Sequence, residues 1–136
     1  MDTIYKDNII DHYQHPRNFG DLPGADVIVK EANASCGDML QMAVKWQMAN
    51  GKWQIEKIKF KSIGCAISTA AGSLLTEKVK KIKVIEVIRG IKDEDMIEML
   101  GIEVSPTRMK CALLPLRALQ KALRLHFDYA QCKRSG

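Results

Sequence analysis

Residues 40 to 48 alternate without a break. Leu40, Met42, Val44, Trp46 and Met48 are separated by Gln41, Ala43, Lys45 and Gln47. A period of two marks a strand with one buried face and one wet face. Asn50-Gly51 then predicts a tight hairpin turn, because both central residues of such turns need positive φ. The return strand runs from Lys52 to about Ser62. Its apolar frame slips between Ile55 and Ile58, which predicts a bulge near Glu56-Lys57. A less regular strand over 26–32 precedes this pair.

From residue 65 the period lengthens. Ile67, Ala71, Leu74, Leu75, Val79 and Ile82 form the stripe of an amphipathic helix. A short helix is expected over 84–89, closed by Gly90, and another from a cap at Asp93 to Leu100, closed by Gly101. Ser105-Pro106 reads as a cap followed by a first helical turn. The last helix carries Leu116, Leu119, Leu123 and Phe127, with Pro115 marking its start or a kink. At the other end, Ile4, Tyr5, Ile9 and Tyr13 predict a helix over 3–14. It stops before His15-Pro16, since the residue before proline avoids helical geometry. Residues 15–24 hold two prolines and two glycines and read as a loop. Strands first and helices afterwards predict an α+β fold, with the helices packed mainly on one face of an antiparallel sheet.

The length of 136 residues suits one domain over 1–136, large enough to bury a core without disulfides. Apolar residues at 46% and charged residues at 27% argue against disorder. No apolar run reaches membrane-spanning length, and the N-terminus lacks the basic start and apolar stretch of a signal peptide. The expected compartment is therefore the cytoplasm, where cysteines stay reduced or bind metal. The net charge of +5 is concentrated in Lys78–Lys83 and the C-terminal third. Such charge is ordinarily a solvated helix face. With aromatic residues at 6% and no aromatic strand platform, no nucleic-acid partner is expected.

The four cysteines form no Cys-x-x-Cys pair, so zinc-finger and thioredoxin patterns are absent. Their local settings carry the chemistry instead. Cys36 precedes Gly37 and stands two positions before Asp38. In an extended segment both side chains point to one side and could meet one metal ion. Cys65 follows Gly64 and opens the long helix, where unpaired N–H groups and the helix dipole favour thiolate. Cys111 follows Arg108 and Lys110, whose charges act in the same sense. A free cysteine is also commonly a small buried hydrophobe. That reading weakens for three cysteines that all sit at element edges beside Gly, Asp or Lys. Cys132 lies near the C-terminus and is left outside the site. His12, His15 and His126 are read as surface or packing residues, not ligands.

Ala34-Ser-Cys36-Gly-Asp38, Gly64-Cys65-Ala-Ile-Ser68 and Lys110-Cys111-Ala112 resemble the three cysteine motifs of the IscU/NifU-type iron–sulfur cluster assembly scaffolds. The opening Tyr5…Asp11-His-Tyr13…His15-Pro-Arg-Asn18 resembles that family's first segment. Order and spacing agree from about residue 4 to 127. The resemblance implies an α+β fold with a three-stranded antiparallel sheet and about five helices. It implies a transient [2Fe–2S] cluster on Cys36, Cys65 and Cys111, or zinc in its absence. It also implies a cysteine desulfurase of the IscS/NifS kind as sulfur donor, with Cys111 accepting persulfide, and iron–sulfur apoproteins as recipients. Asp38 matches the family aspartate linked to cluster lability.

Two departures from the family pattern sharpen these expectations. The usual scaffold has histidine before the third cysteine, whereas this chain has Lys110. Lysine there resembles the SufU branch, a zinc-containing sulfur acceptor, yet the insertion of that branch is absent. A charged lysine has no lone pair for a metal, so Lys110 is expected to attract the anionic persulfide or cluster. Asp38 becomes the expected fourth ligand. The chaperone-recognition segment, typically Leu-Pro-Pro-Val-Lys, aligns only partly with Val104–Arg108, where an Hsp70-type chaperone would dock. The cluster could sit in one subunit or bridge two. The two functional expectations are a scaffold, which is a carrier and not an enzyme, and a SufU-like zinc-dependent sulfurtransferase.

Overall fold

The computed structural model describes the backbone of residues 2–33 and 37–135, and side chains over 7–33 and 37–128. Among these residues the order is α1 (Asp2–Gln14), β1 (Val27–Asn33), β2 (Asp38–Ala49), β3 (Lys52–Ile63), α2 (Ala66–Ile82), α3 (Ile85–Ile88), α4 (Asp93–Leu100) and α5 (Pro106–Ser135). The three strands pair antiparallel in the order β1-β2-β3. This is the α+β architecture expected from the pattern.

The alternation in β2 holds from Leu40 to Trp46 except at Ala43, which is buried, and it fails at Met48, which is exposed. Leu40, Met42, Val44 and Trp46 are buried, while Gln41, Lys45 and Gln47 lie on the wetter face. Asn50 and Gly51 have φ of 52° and 75°, the paired positive angles of a tight hairpin turn. Across the hairpin Lys45 faces Lys57 but Trp46 faces Ile55, so Glu56 is the extra residue. The expected bulge is therefore present. It lets Ile58 and Ile55 both point inward, and both are buried. The outer edge of β3 is covered at two places. Residues 18–20 bond to both backbone groups of Phe60, and Lys83 O accepts from Ile55 N. An edge with its polar groups taken is a poor template for aggregation.

The buried row of β2 joins Phe60, Leu75, Val79, Met96, Leu100, Leu116 and Leu119 in one core. Both α2 and α5 pack against the sheet and against each other. Arg117 forms a two-pronged bond to Asp93, at 2.9 and 2.8 Å, and so ties α5 to α4.

Three details of the sequence reading change. Tyr13 does not share a buried face with Ile9: it is exposed, and His12 is buried in its place. α4 is preceded by Lys92 and not capped by Asp93; Asp95 Oδ2 accepts from Lys92 N at 2.8 Å. The last helix begins at Pro106, as Ser105-Pro106 predicted, so Pro115 lies inside it and is not its start.

Candidate metal and sulfur site

Three chain ends meet at one corner of the sheet. Asn33 ends β1 and pairs with Asp38, which begins β2. Beside them β3 ends at Ile63 and the chain turns through Gly64 into α2. The first turns of α5 bring Cys111 to the same corner.

Asp38 is only 1% exposed, yet each of its carboxylate oxygens accepts a hydrogen bond. Oδ1 accepts from the backbone N–H of Cys65 at 2.6 Å. Oδ2 lies 3.3 Å from the hydroxyl of Ser68, which donates to it. A buried charge persists only where such bonds replace water. The approach demands glycine at 64, where φ is +123°. A Cβ at that position would overlap Asp38 Oδ1.

Cys65 is the N-cap of α2. Its sulfur accepts from Ile67 N at 3.4 Å, which satisfies one of the helix's unpaired donors. The same sulfur accepts from the Arg108 guanidinium at 2.9 Å. The Arg108 charge thus reaches Cys65. Cys111 is fully buried, and Asn33 Nδ2 approaches its sulfur at 3.7 Å. Neither Cys65 nor Cys111 is in a disulfide.

The donor atoms of Asp38, Cys65 and Cys111 all lie within 4.8 Å of one another. Two sulfur ligands of a tetrahedral zinc, each at ~2.3 Å, stand about 3.8 Å apart. The triad would therefore close by up to about 1 Å to share an ion. Thiolate and carboxylate donors suit zinc and iron–sulfur centres. Cys36 lies outside the described residues, as does the side chain of Cys132. Lys110 is exposed and lines a cleft of about 420 Å³ with Glu31, Asn33, Leu114 and Arg117. The lysines of the 78–83 cluster are exposed on α2 and just beyond, as a solvated face would be.

Two polar residues of the site escape a reading of cysteine motifs alone, namely Asn33 and Ser68. Ser68 had a legible signal, since Cys65 and a residue three positions on share one face of a helix's first turn. Asn33 had none, because only the packing of α5 against β1 brings it to Cys111.

His12 is engaged elsewhere. Its Nδ1 is 2.7 Å from Ser73 Oγ, which also accepts from Arg17 N at 2.9 Å. Burial holds the His12 imidazole below its ordinary pKa, and the nearby Arg17 charge adds to this. His126 packs edge-on to Trp46 and Trp53, with ring centroids 4.6 and 5.0 Å away. Burial lowers its pKa too.

The fold and corner define a class: small α+β proteins whose antiparallel sheet presents thiols and a carboxylate at one end. The NifU-like N terminal domain model matches residues 4–133, and the chain belongs to that family. It is 34% identical over 122 residues to the iron–sulfur cluster assembly scaffold protein IscU of Escherichia coli K12, covering 88% of this chain and 91% of that one. It is 33% identical over 140 residues to the zinc-dependent sulfurtransferase SufU of Bacillus subtilis 168, covering 90% and 91%. Among solved structures, a protein of Fervidobacterium islandicum described as a candidate scaffold for the SUF system matches with a TM-score of 0.70. Identity there is 26%, over 89% of this chain and 97% of that one.

The alignment lengths differ in an informative way. The 140 aligned positions with SufU take in 90% of 136 residues, about 122, so about 18 positions face no residue of this chain. With IscU, 122 positions take in 88%, about 120, which leaves about 2.

Proposed function

We propose that this chain is a scaffold on which a [2Fe–2S] cluster is assembled and from which it is passed on. The observation that carries the reading is the convergence of Asp38, Cys65 and Cys111 from three separate elements in a member of this family. Cys36 completes the donor set. It is two residues from Asp38, a span of at most ~7 Å of extended chain. Three thiolates and a carboxylate give four ligands, and the oxygen is the weaker. A scaffold must release its cargo, so one weak ligand serves it. The iron and sulfide are substrates of this process.

Sulfur arrives from a cysteine desulfurase of the IscS/NifS kind. The Cys111 thiolate attacks the outer sulfur of the donor's persulfide; the donor leaves as thiolate and Cys111 carries the persulfide. Reduction of that sulfur to sulfide takes two electrons from an external electron-transfer protein. Cys111 is buried, so delivery requires its cover to open on docking. Lys110, on the adjoining cleft, would draw the anionic sulfur inward. Iron–sulfur apoproteins receive the cluster. An Hsp70-type chaperone that gripped Val104–Arg108 would pull Arg108 from the Cys65 sulfur. The proposed setting is a cytoplasmic single domain, with a cluster held in one subunit or bridged across a homodimer. No helix among the described residues is long and apolar enough to cross a membrane.

The second reading is a zinc-dependent sulfurtransferase. Lys110 and the likeness to SufU favour it, while the unmatched positions against SufU favour the scaffold. One experiment separates them. The chain is incubated anaerobically with iron, cysteine, a reductant and a desulfurase, and visible absorption is followed with metal and sulfide analysis. The scaffold predicts iron–sulfur absorption that is lost in Cys36→Ser, Cys65→Ser or Cys111→Ser and altered metal content and release in Asp38→Ala. Persulfide turnover with zinc retained and no absorption would overturn it in favour of the transferase. Unchanged metal content and release in Asp38→Ala would remove Asp38 from the ligand set.

A further inference from the structure

Asn33 ends β1 directly opposite Asp38, and it is only 8% exposed. Residues that face each other across an antiparallel pair share one face of the sheet. The amide and the carboxylate therefore enter the same corner. A buried amide must find hydrogen-bond partners inside the molecule. The Asn33 Nδ2 donates to the Cys111 sulfur at 3.7 Å, a long N–H···S bond. A thiolate can only accept, so the NH2 group and not the carbonyl oxygen must face it. Asn33 also lines the cleft beside Lys110 and Leu114, so it touches both that cleft and the sulfur.

We propose that Asn33 is a positioning residue that sets how reactive the Cys111 sulfur is while metal is bound. The proposal rests on the reading above, in which Cys111 is both a metal ligand and the acceptor of persulfide. Those two roles make opposite demands on one sulfur. A ligand should keep its charge on the metal, whereas an acceptor must offer a lone pair to an incoming sulfur. An N–H aimed at a metal-bound sulfur draws charge off it and tunes the centre. Asn33 thus restrains attack by Cys111 and favours its role as a ligand. The position of the amide is fixed by the sheet, because Asn33 is the last paired residue of β1. The restraint is therefore built into the strand and does not wait for metal to order it.

The test uses the full chain loaded with cobalt or with zinc, with thermal melts to confirm folding. Asn33→Leu keeps the bulk beside the sulfur and removes the donor. In the cobalt form the thiolate-to-metal charge-transfer band is expected at longer wavelength, because a sulfur relieved of a hydrogen bond gives up charge more readily. In the zinc form, alkylation by iodoacetamide is followed at Cys111 and Cys65 in the same sample by peptide mass spectrometry. Sulfur bonds to carbon in that reaction and iodide leaves. The Cys111-to-Cys65 rate ratio is expected to rise roughly three- to tenfold, as loss of one ordinary hydrogen bond allows. The band shift should vanish when Asn33→Leu is placed in a Cys111→Ser background, which assigns it to that sulfur. A band that stays in place, a ratio that is unchanged or falls, or a shift that survives without the Cys111 sulfur would overturn the proposal. If Asn33→Leu does not fold, the cobalt band of Asn33→Ala decides by the same rule. If Cys111→Ser alone leaves the cobalt band unaltered, the ligand reading itself has failed, which is a separate result.

Discussion

At the scale of single residues, the site depends on one missing side chain. Gly64 holds a φ of +123° and lets Asp38 close against the N-terminus of α2. Gly64→Ala adds backbone strain of about 1–3 kcal/mol and drives a methyl into Asp38 Oδ1. It should lower the melting temperature by several degrees and also reduce zinc content at isolation. Loss of stability with zinc content intact would mean that Asp38 does not depend on this approach. The placing of Arg108 shows the limit of neighbour reasoning. Sequence adjacency assigned its charge to Cys111, but only the packing of α5 beside the start of α2 brings its guanidinium to Cys65.

At the scale of elements, α1 is tied to α2 by a buried polar contact besides the burial of Ile9. His12 bonds to Ser73 in the interior. Charged groups facing it are Asp11 and Arg17 from its own segment and Glu77 from α2. Burial, the largest cause, lowers the folded pKa of His12 below the ordinary 6.5. The unfolded chain therefore takes the proton first as pH falls. Stability is full above about pH 6.5 and declines as pH drops from there through the folded value. His126 acts in the same sense. Thermal melts between pH 7.5 and 5 should show this decline, and His12→Gln should flatten it. An unchanged slope in His12→Gln would place the effect elsewhere. Pro115 teaches a related lesson. Local rules end or kink a helix at proline, but α5 is helical on both sides of Pro115, and the Ser68 hydroxyl of α2 donates to the carbonyl of Cys111.

At the scale of the whole molecule, a metal ion at this corner would link three elements distant in sequence. Asp38, Cys65 and Cys111 belong to β2, the start of α2 and α5. An ion held by all three binds only the folded chain. At a free zinc concentration 100 times its dissociation constant, the gain is about 2.7 kcal/mol. For a chain of this size that raises the melting temperature by roughly 10 °C. Differential scanning calorimetry with and without zinc checks this, and Cys65→Ser or Cys111→Ser should abolish most of the rise. An equal rise in these variants would locate the zinc at another site.

Short-range physics was enough to determine most of the elements from sequence. Period-two alternation defined β2, Asn50-Gly51 its turn, and a slipped apolar frame the bulge at Glu56. The cysteine motifs identified Asp38, Cys65 and Cys111 before any geometry. Tertiary structure alone decided which groups face one another across long separations. Asn33 reaches Cys111, Ser68 serves Asp38 and Cys111 together, and His12 replaces Tyr13 in the interior. These are polar contacts between elements, whose directions follow from packing and register. A one-dimensional pattern records which residues seek burial, and only the packed chain determines which buried polar groups satisfy each other.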